Sequence, residues 1–100
     1  MRNSSESLFK ALADTQRREL LRLLRAGEAP AGELATAIGI SPATISHHLG
    51  ILKSADLVRV RRDGRHRIYA LNASAVQESL LVLTDLLRPG ATPTDKGNDS

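Results

Sequence analysis

Residues 31 to 55 read AGELATAIGISPATISHHLGILKSA, and this stretch decides the fold. Ala31 to Ile38 has the spacing of a short helix that turns Leu34, Ala35 and Ile38 inward, and Gly39 stands where that helix must stop. Ser41-Pro42 then supplies an N-cap followed by proline at the first helical position, where its missing N–H costs nothing. The second helix runs to about Ala55. Two helices separated only by Gly39-Ile40-Ser41, the first short and the second firmly capped, have the spacing of a helix-turn-helix.

Upstream, residues 5 to 13 place Leu8, Phe9 and Leu12 on one helical face, and Asp14 is positioned to cap a second helix. In that helix Leu20, Leu21, Leu23 and Leu24 form the expected buried stripe, with Arg17, Arg18, Arg22 and Arg25 outward, before Gly27 and a break at Glu28-Ala29-Pro30. Downstream, Leu57 to Arg62 and Arg65 to Leu71 alternate apolar and basic residues around Asp63-Gly64, a hairpin signal that turns Val58 and Val60 toward the core. Asn72 caps a last helix from Ala73 to Leu87, which Pro89-Gly90 ends. The expected fold is mainly α with a two-stranded β-hairpin, a winged helix-turn-helix in the order helix, helix, helix, helix, strand, strand, helix. Residues 1–88 are expected to form this DNA-binding and dimerisation domain, and 89–100 a disordered C-terminal tail.

One hundred residues, 41% apolar and 25% charged, suit a single small domain. The chain contains no cysteine, which excludes a disulfide framework, a thiolate zinc site and a thiol nucleophile. No stretch approaches the roughly 18 apolar residues of a membrane span, and the start MRNSSESLFK lacks a secretory apolar run, so the expected location is the cytoplasm without membrane insertion. The net charge is +3, but between Lys53 and Arg67 six basic residues oppose Asp56 and Asp63, a local +4. Such a segment on a near-neutral domain suits a polyanion, nucleic acid before membrane; on charge alone a solvated hairpin serves as well.

At 100° per residue, Ser41, Ile45, His48, Leu49 and Leu52 share one arc of the helix that starts at Ser41, a core face. The opposite side presents Ala43, Ser46, His47, Gly50 and Ser54, with Thr44 on the flank, and is slim enough to enter a major groove about 12 Å wide. The adjacent histidines cannot converge on one metal. His48 reads as a buried histidine bonded to a backbone carbonyl, and His47 as an outward group able to reach a base or phosphate. Arg62 and Arg65 flank the expected tip of the hairpin, and Arg61 and Arg67 add candidate phosphate contacts.

The last helix carries Val76, Leu80, Leu83 and Leu87 on one stripe, widened by Leu81, Val82 and Leu86. This excess predicts a two-fold dimer in which the last helix and the first, through Leu8, Phe9 and Leu12, meet their symmetry mates. Ser46 and His47 share no side-chain direction and no paired carboxylates stand out, so an enzyme is not expected.

Together these phrases resemble the ArsR/SmtB family of dimeric winged-helix repressors. KALADTQRRELLRLL (10–24), SPATISHHLGIL (41–52), ADLV (55–58, AGLV in the family) and RDGRHRIYAL (62–71) match its motifs, and the similarity covers Leu8 to Leu87. The resemblance implies a homodimer on an imperfect inverted repeat in double-stranded DNA overlapping a promoter, with recognition helices about 34 Å apart. It implies base reading from Pro42, Ala43, Ser46 and His47, beside Ser41, Thr44 and Lys53 on the same helix, and wing contacts from Arg62 and Arg65. Pro42 and Ala43 depart from the polar residues common there, which turns those contacts apolar.

Many members of the family sense metals, yet the positions matching their ligands hold Ala35 and Ala37 in the third helix, and Ala73, Ala75, Leu86 and Pro89 along the last. No metal and no cofactor are therefore expected. Within the family the chain is most similar to the SdpR-type autorepressors without metal sites, which implies release from DNA by a sequestering protein partner. The alternative function is a winged-helix protein-protein interaction module with only non-specific DNA affinity.

Overall fold

The computed structural model describes residues 4–89. The described elements are α1 (Ser4–Leu12), α2 (Thr15–Ala26), β1 (Ala29–Pro30), α3 (Ala31–Ile38), α4 (Pro42–Ser54), β2 (Val58–Asp63), β3 (His66–Leu71) and α5 (Ala73–Leu87). The expected caps are formed. Asp14 Oδ1 accepts from the N–H groups of Gln16 (2.7 Å) and Arg17 (3.1 Å), and Ser41 Oγ accepts from Thr44 N–H at 3.1 Å. Asn72 accepts from Ala75 N–H at 3.4 Å and donates to the Asp56 carbonyl at 2.9 Å, which ties the start of α5 to the end of α4. The tail expected at 89–100 lies, beyond Pro89, outside the described residues.

The helices and the sheet enclose one aliphatic core. Leu20, Leu34, Leu49, Leu52 and Leu57 are fully buried, joined by Leu8, Ala11, Leu24, Ala35, Ile45, Val58 and Tyr69. The end of α4 shows how tightly the wing is attached. Asp56 N–H donates to the Lys53 carbonyl (2.9 Å) and Leu57 N–H to the Leu52 carbonyl (3.0 Å), with Asp56 at φ +63°. These two bonds and the left-handed residue make a Schellman motif, whose apolar pair is Leu52 with Leu57.

Four expectations are corrected. The sheet has three strands in the order β1-β3-β2 rather than two, because Ala29 and Pro30 pair antiparallel with Tyr69 and Ile68. Proline is accommodated there because β1 is an edge strand. The hairpin loop is Gly64-Arg65 rather than Asp63-Gly64, since Asp63 pairs with His66 and the positive φ of +63° falls on Gly64, the first loop residue, as a II′ turn requires. Arg17 points inward and is only 8% exposed. Leu8, placed by sequence at a dimer face, is buried in the chain's own core.

Candidate nucleic-acid interface

On α4 the core arc is buried at Ile45, His48, Leu49 and Leu52, but not at Ser41, which the same spacing places there and which caps the helix instead. That leaves Pro42, Ala43, Ser46, His47, Gly50 and Lys53 exposed on the other side, with Ser41 exposed at the cap and Thr44 half-buried. The hydroxyls of Ser41 and Thr44 lie 2.9 Å apart and hydrogen-bond each other, so the first turn of α4 engages both in its own cap.

The wing stands beside this face. Residues directly opposite in a ladder share a face, so Val58, Val60 and Arg62 on β2 lie on the same side as Leu71, Tyr69 and Arg67 on β3. Near the base of the hairpin this side packs on the core; farther out, Arg62 and Arg67 leave it and overhang α4. Between wing and helix lies a cleft of about 430 Å³ lined by Ser46, Gly50, Lys53, Arg62 and Arg67 among others, with no carboxylate in its wall. The arrangement concentrates positive charge over a floor of small polar groups. Arg65 sits exposed in the loop itself, beyond the cleft.

Arg61 behaves differently from its neighbours. Its guanidinium meets Glu28 at 2.6 Å, and the hydrogen bond it donates holds the Glu28 carboxyl below the usual carboxylate range while raising its own already high value. Arg61 therefore enters any phosphate contact partly neutralised. A second cleft, on the α1 side of the presented face, is lined by Ser7, Lys10, Ser46, His47 and Gly50. Lys10 was not among the residues singled out from sequence, because only the packing of α1 against α4 brings it beside His47.

The buried histidine has partners other than the backbone carbonyl expected for it. His48 is 5% exposed, with Nδ1 3.1 Å from Arg17 Nη1 and Nε2 2.9 Å from Gln16 Oε1. A signal for Arg17 was present in the sequence: it precedes Leu20 by three residues and Leu24 by seven, on the same helical stripe.

A metal does not fit where the family's ligand positions fall. Ala35, Ala37, Ala73 and Ala75 offer no side-chain donor, and no cluster of three or more His, Cys, Asp or Glu side chains able to hold an ion occurs among the described residues. No helix among them is long and apolar enough to cross a membrane.

A helix-turn-helix whose second helix presents a slim polar face beside a basic wing defines a winged-helix DNA-binding regulator. The family model described as a helix-turn-helix domain matches residues 12–61. The transcriptional repressor SdpR of Bacillus subtilis is 38% identical over 84 residues, 84% of this chain and 93% of that protein. The arsenical resistance operon repressor of Staphylococcus aureus is 36% identical, over 72% of this chain and 69% of its own length. Among solved structures, a homodimeric winged helix-turn-helix DNA-binding domain from Mycobacterium bovis, described as a possible ArsR-family regulator, superposes with a TM-score of 0.71 at 34% identity, covering 81% of this chain and 76% of that one. The chain belongs to the ArsR/SmtB family of winged helix-turn-helix transcriptional regulators.

Proposed function

We propose that the protein is a metal-independent repressor that binds an inverted repeat as a homodimer and reads each half-site with α4. The observation that carries this reading is the carboxylate-free cleft in which Lys53, Arg62 and Arg67 converge beside Ser46 and the exposed His47. Phosphates of a duplex suit the basic wall, and base edges suit the hydroxyl and imidazole of the presented face. In this reading Ser46 and His47 supply polar base contacts, Pro42 and Ala43 apolar ones, and Arg65 at the wing tip reaches the flanking phosphates or the minor groove.

Dimerisation through α1 and α5 is supported by the apolar surface that one chain leaves uncovered. Leu80 and Leu87 are 60% and 77% exposed, and Phe9, Leu81, Val82 and Leu86 are exposed beside them, whereas Leu12, Val76 and Leu83 are half-buried. A patch of this kind on a small domain marks an association surface. With no donor side chains at the ligand positions of its metal-sensing relatives, release from DNA falls to a sequestering protein partner rather than an ion.

Fluorescence anisotropy tests the reading, using a labelled duplex from immediately upstream of the coding sequence against a random duplex, with and without zinc, alongside native mass measurement. Preference for the upstream duplex that persists at physiological salt, ignores zinc and accompanies a dimer is the expected result. Equal binding to both duplexes that disappears with salt favours a protein-docking module, and a monomer at micromolar concentration overturns the two-fold arrangement.

A further inference from the structure

Arg17 is a buried cation whose donors go to neutral acceptors. Its Nε donates to the Ala11 carbonyl at 2.9 Å and its Nη2 to the Lys10 carbonyl at 2.8 Å, both in the last turn of α1. The Ala11 carbonyl lies where intrahelical donors run out, the Lys10 carbonyl also accepts from Ala13 N–H at 3.3 Å, and a positive charge suits that end of the helix dipole. The remaining contact runs from Nη1 to His48 Nδ1 on α4, at 3.1 Å. One guanidinium on α2 thus joins the end of α1 to the middle of α4.

A guanidinium only donates, so His48 Nδ1 is the acceptor and the ring proton resides on Nε2, which donates to Gln16 Oε1 at 2.9 Å. His48 is therefore neutral and in a single tautomer. The other buried side chains of α4 are Ile45, Leu49 and Leu52, whose burial is non-directional and tolerates small rotations of the helix about its axis. Hydrogen bonds to an imidazole do not tolerate such rotation. His47, the preceding residue, points into the presented face, so whatever fixes the direction of His48 fixes that of His47, 100° around the helix.

We propose that Arg17 and His48 form a positioning pair that sets the rotation of α4, so that Ser46 and His47 meet base edges. This rests on the reading of α4 as the DNA-contacting helix. Neither side chain touches DNA in this arrangement; both act through the helix.

The test uses a duplex enriched from a randomised pool by the wild-type protein, compared with the unselected pool, and the variants Arg17→Lys, His48→Ala and His48→Asn. Lysine keeps the charge but cannot span the three acceptors, whereas the asparagine of His48→Asn can offer its side-chain carbonyl oxygen near the place of Nδ1. The expected result is that Arg17→Lys and His48→Ala lose about tenfold in preference for the selected duplex, the worth of a base contact. Affinity for the unselected pool stays unchanged, and His48→Asn recovers part of the preference. Nitrogen NMR of the DNA-free protein gives an independent readout: an unprotonated Nδ1 and a protonated Nε2 at His48 in wild type, and mixed tautomers in Arg17→Lys. Undiminished preference in Arg17→Lys, an Nδ1–H tautomer in wild type, or parallel loss on both DNAs with a lowered melting temperature overturns the proposal while leaving the DNA reading intact. A wild-type chain that enriches no duplex overturns both.

Discussion

Arg62 and Arg67 stand directly opposite one another across the β2–β3 ladder, on the face of the wing that overhangs α4. Like charges opposed in this way destabilise a hairpin, and no carboxylate lines the cleft beside them to relieve it. On the proposed reading, a polyanion filling the cleft relieves this repulsion. Replacing Arg67 with Thr is expected to weaken binding to every duplex about equally and to lower the salt slope by about one phosphate contact, while the thermal melting temperature holds or rises. Anisotropy titrations across a salt series and a melt of the free protein measure both.

His47 lines the cleft on the α1 side of the exposed face of α4, with no described hydrogen bond of its own. His47→Ala should cost about 1 to 3 kcal/mol on a selected duplex and little on random DNA, the mark of a base contact rather than a phosphate contact. Competition binding with the two duplexes separates the cases; equal losses on both would contradict the assignment.

Gly50 lies at the middle of the presented face, lining the clefts on both sides, and a Cβ built there meets nothing within 4 Å. Gly50→Ala is therefore expected to stabilise the fold by about 0.5 to 1 kcal/mol through helix propensity alone. The same methyl group protrudes where the helix must seat, so duplex affinity should fall. Urea unfolding and duplex titration on one preparation reveal whether the two properties move in opposite directions.

Asp56 carries a left-handed backbone at the end of α4, the only non-glycine residue to do so among the described residues. The family phrase AGLV has glycine at this position, and glycine relieves the clash that an L side chain meets there. Asp56→Gly should raise stability by about 1 kcal/mol and leave DNA binding unaltered, whereas a β-branched Asp56→Val should lower stability. The denaturant midpoint is the quantity to compare.

The Asp14 carboxyl is held below its ordinary value, first by the N–H of Arg17, then by that of Gln16 and by the nearby Arg17 charge. A lowered folded value contributes stability above the unfolded carboxylate pKa of about 4 that is lost as pH falls through the folded one. Asp14→Asn keeps an acceptor for the cap but does not ionise. Its melting temperature is expected to depend less on pH than the wild type's over the acid range, with the two curves converging at the acid end.

Elements held by local signals were legible in the chain. Asp14, Ser41-Pro42 and Asn72 announce three helix starts, Gly39 a helix end, and the period of Ile45, Leu49 and Leu52 assigns the two faces of α4, because each signal operates within a turn or two of backbone. The basic wing and its candidate residues were readable for the same reason. Arg17 shows the limit. Read from sequence it turns outward despite its spacing from Leu20 and Leu24, because an arginine reads as solvated until a histidine 31 residues away and the carbonyls of another helix are seen to receive it.

What the sequence by itself determined is the order of helices and hairpin, the division of α4 into a core face and a slim polar face, and a family resemblance spanning Leu8 to Leu87. Tertiary structure alone decided that Ala29-Pro30 joins the sheet, that Arg62 opposes Arg67 instead of flanking the tip with Arg65, and that Leu8 belongs to the chain's own core. It also decided that Lys10 lies beside His47. A strand of two residues has no periodicity to read, a hairpin register turns on where one positive φ falls, and an apolar helix face is inside or outside only relative to what packs on it. Local chemistry fixes what each segment prefers to be; contacts between segments distant in sequence fix which side chains finally meet.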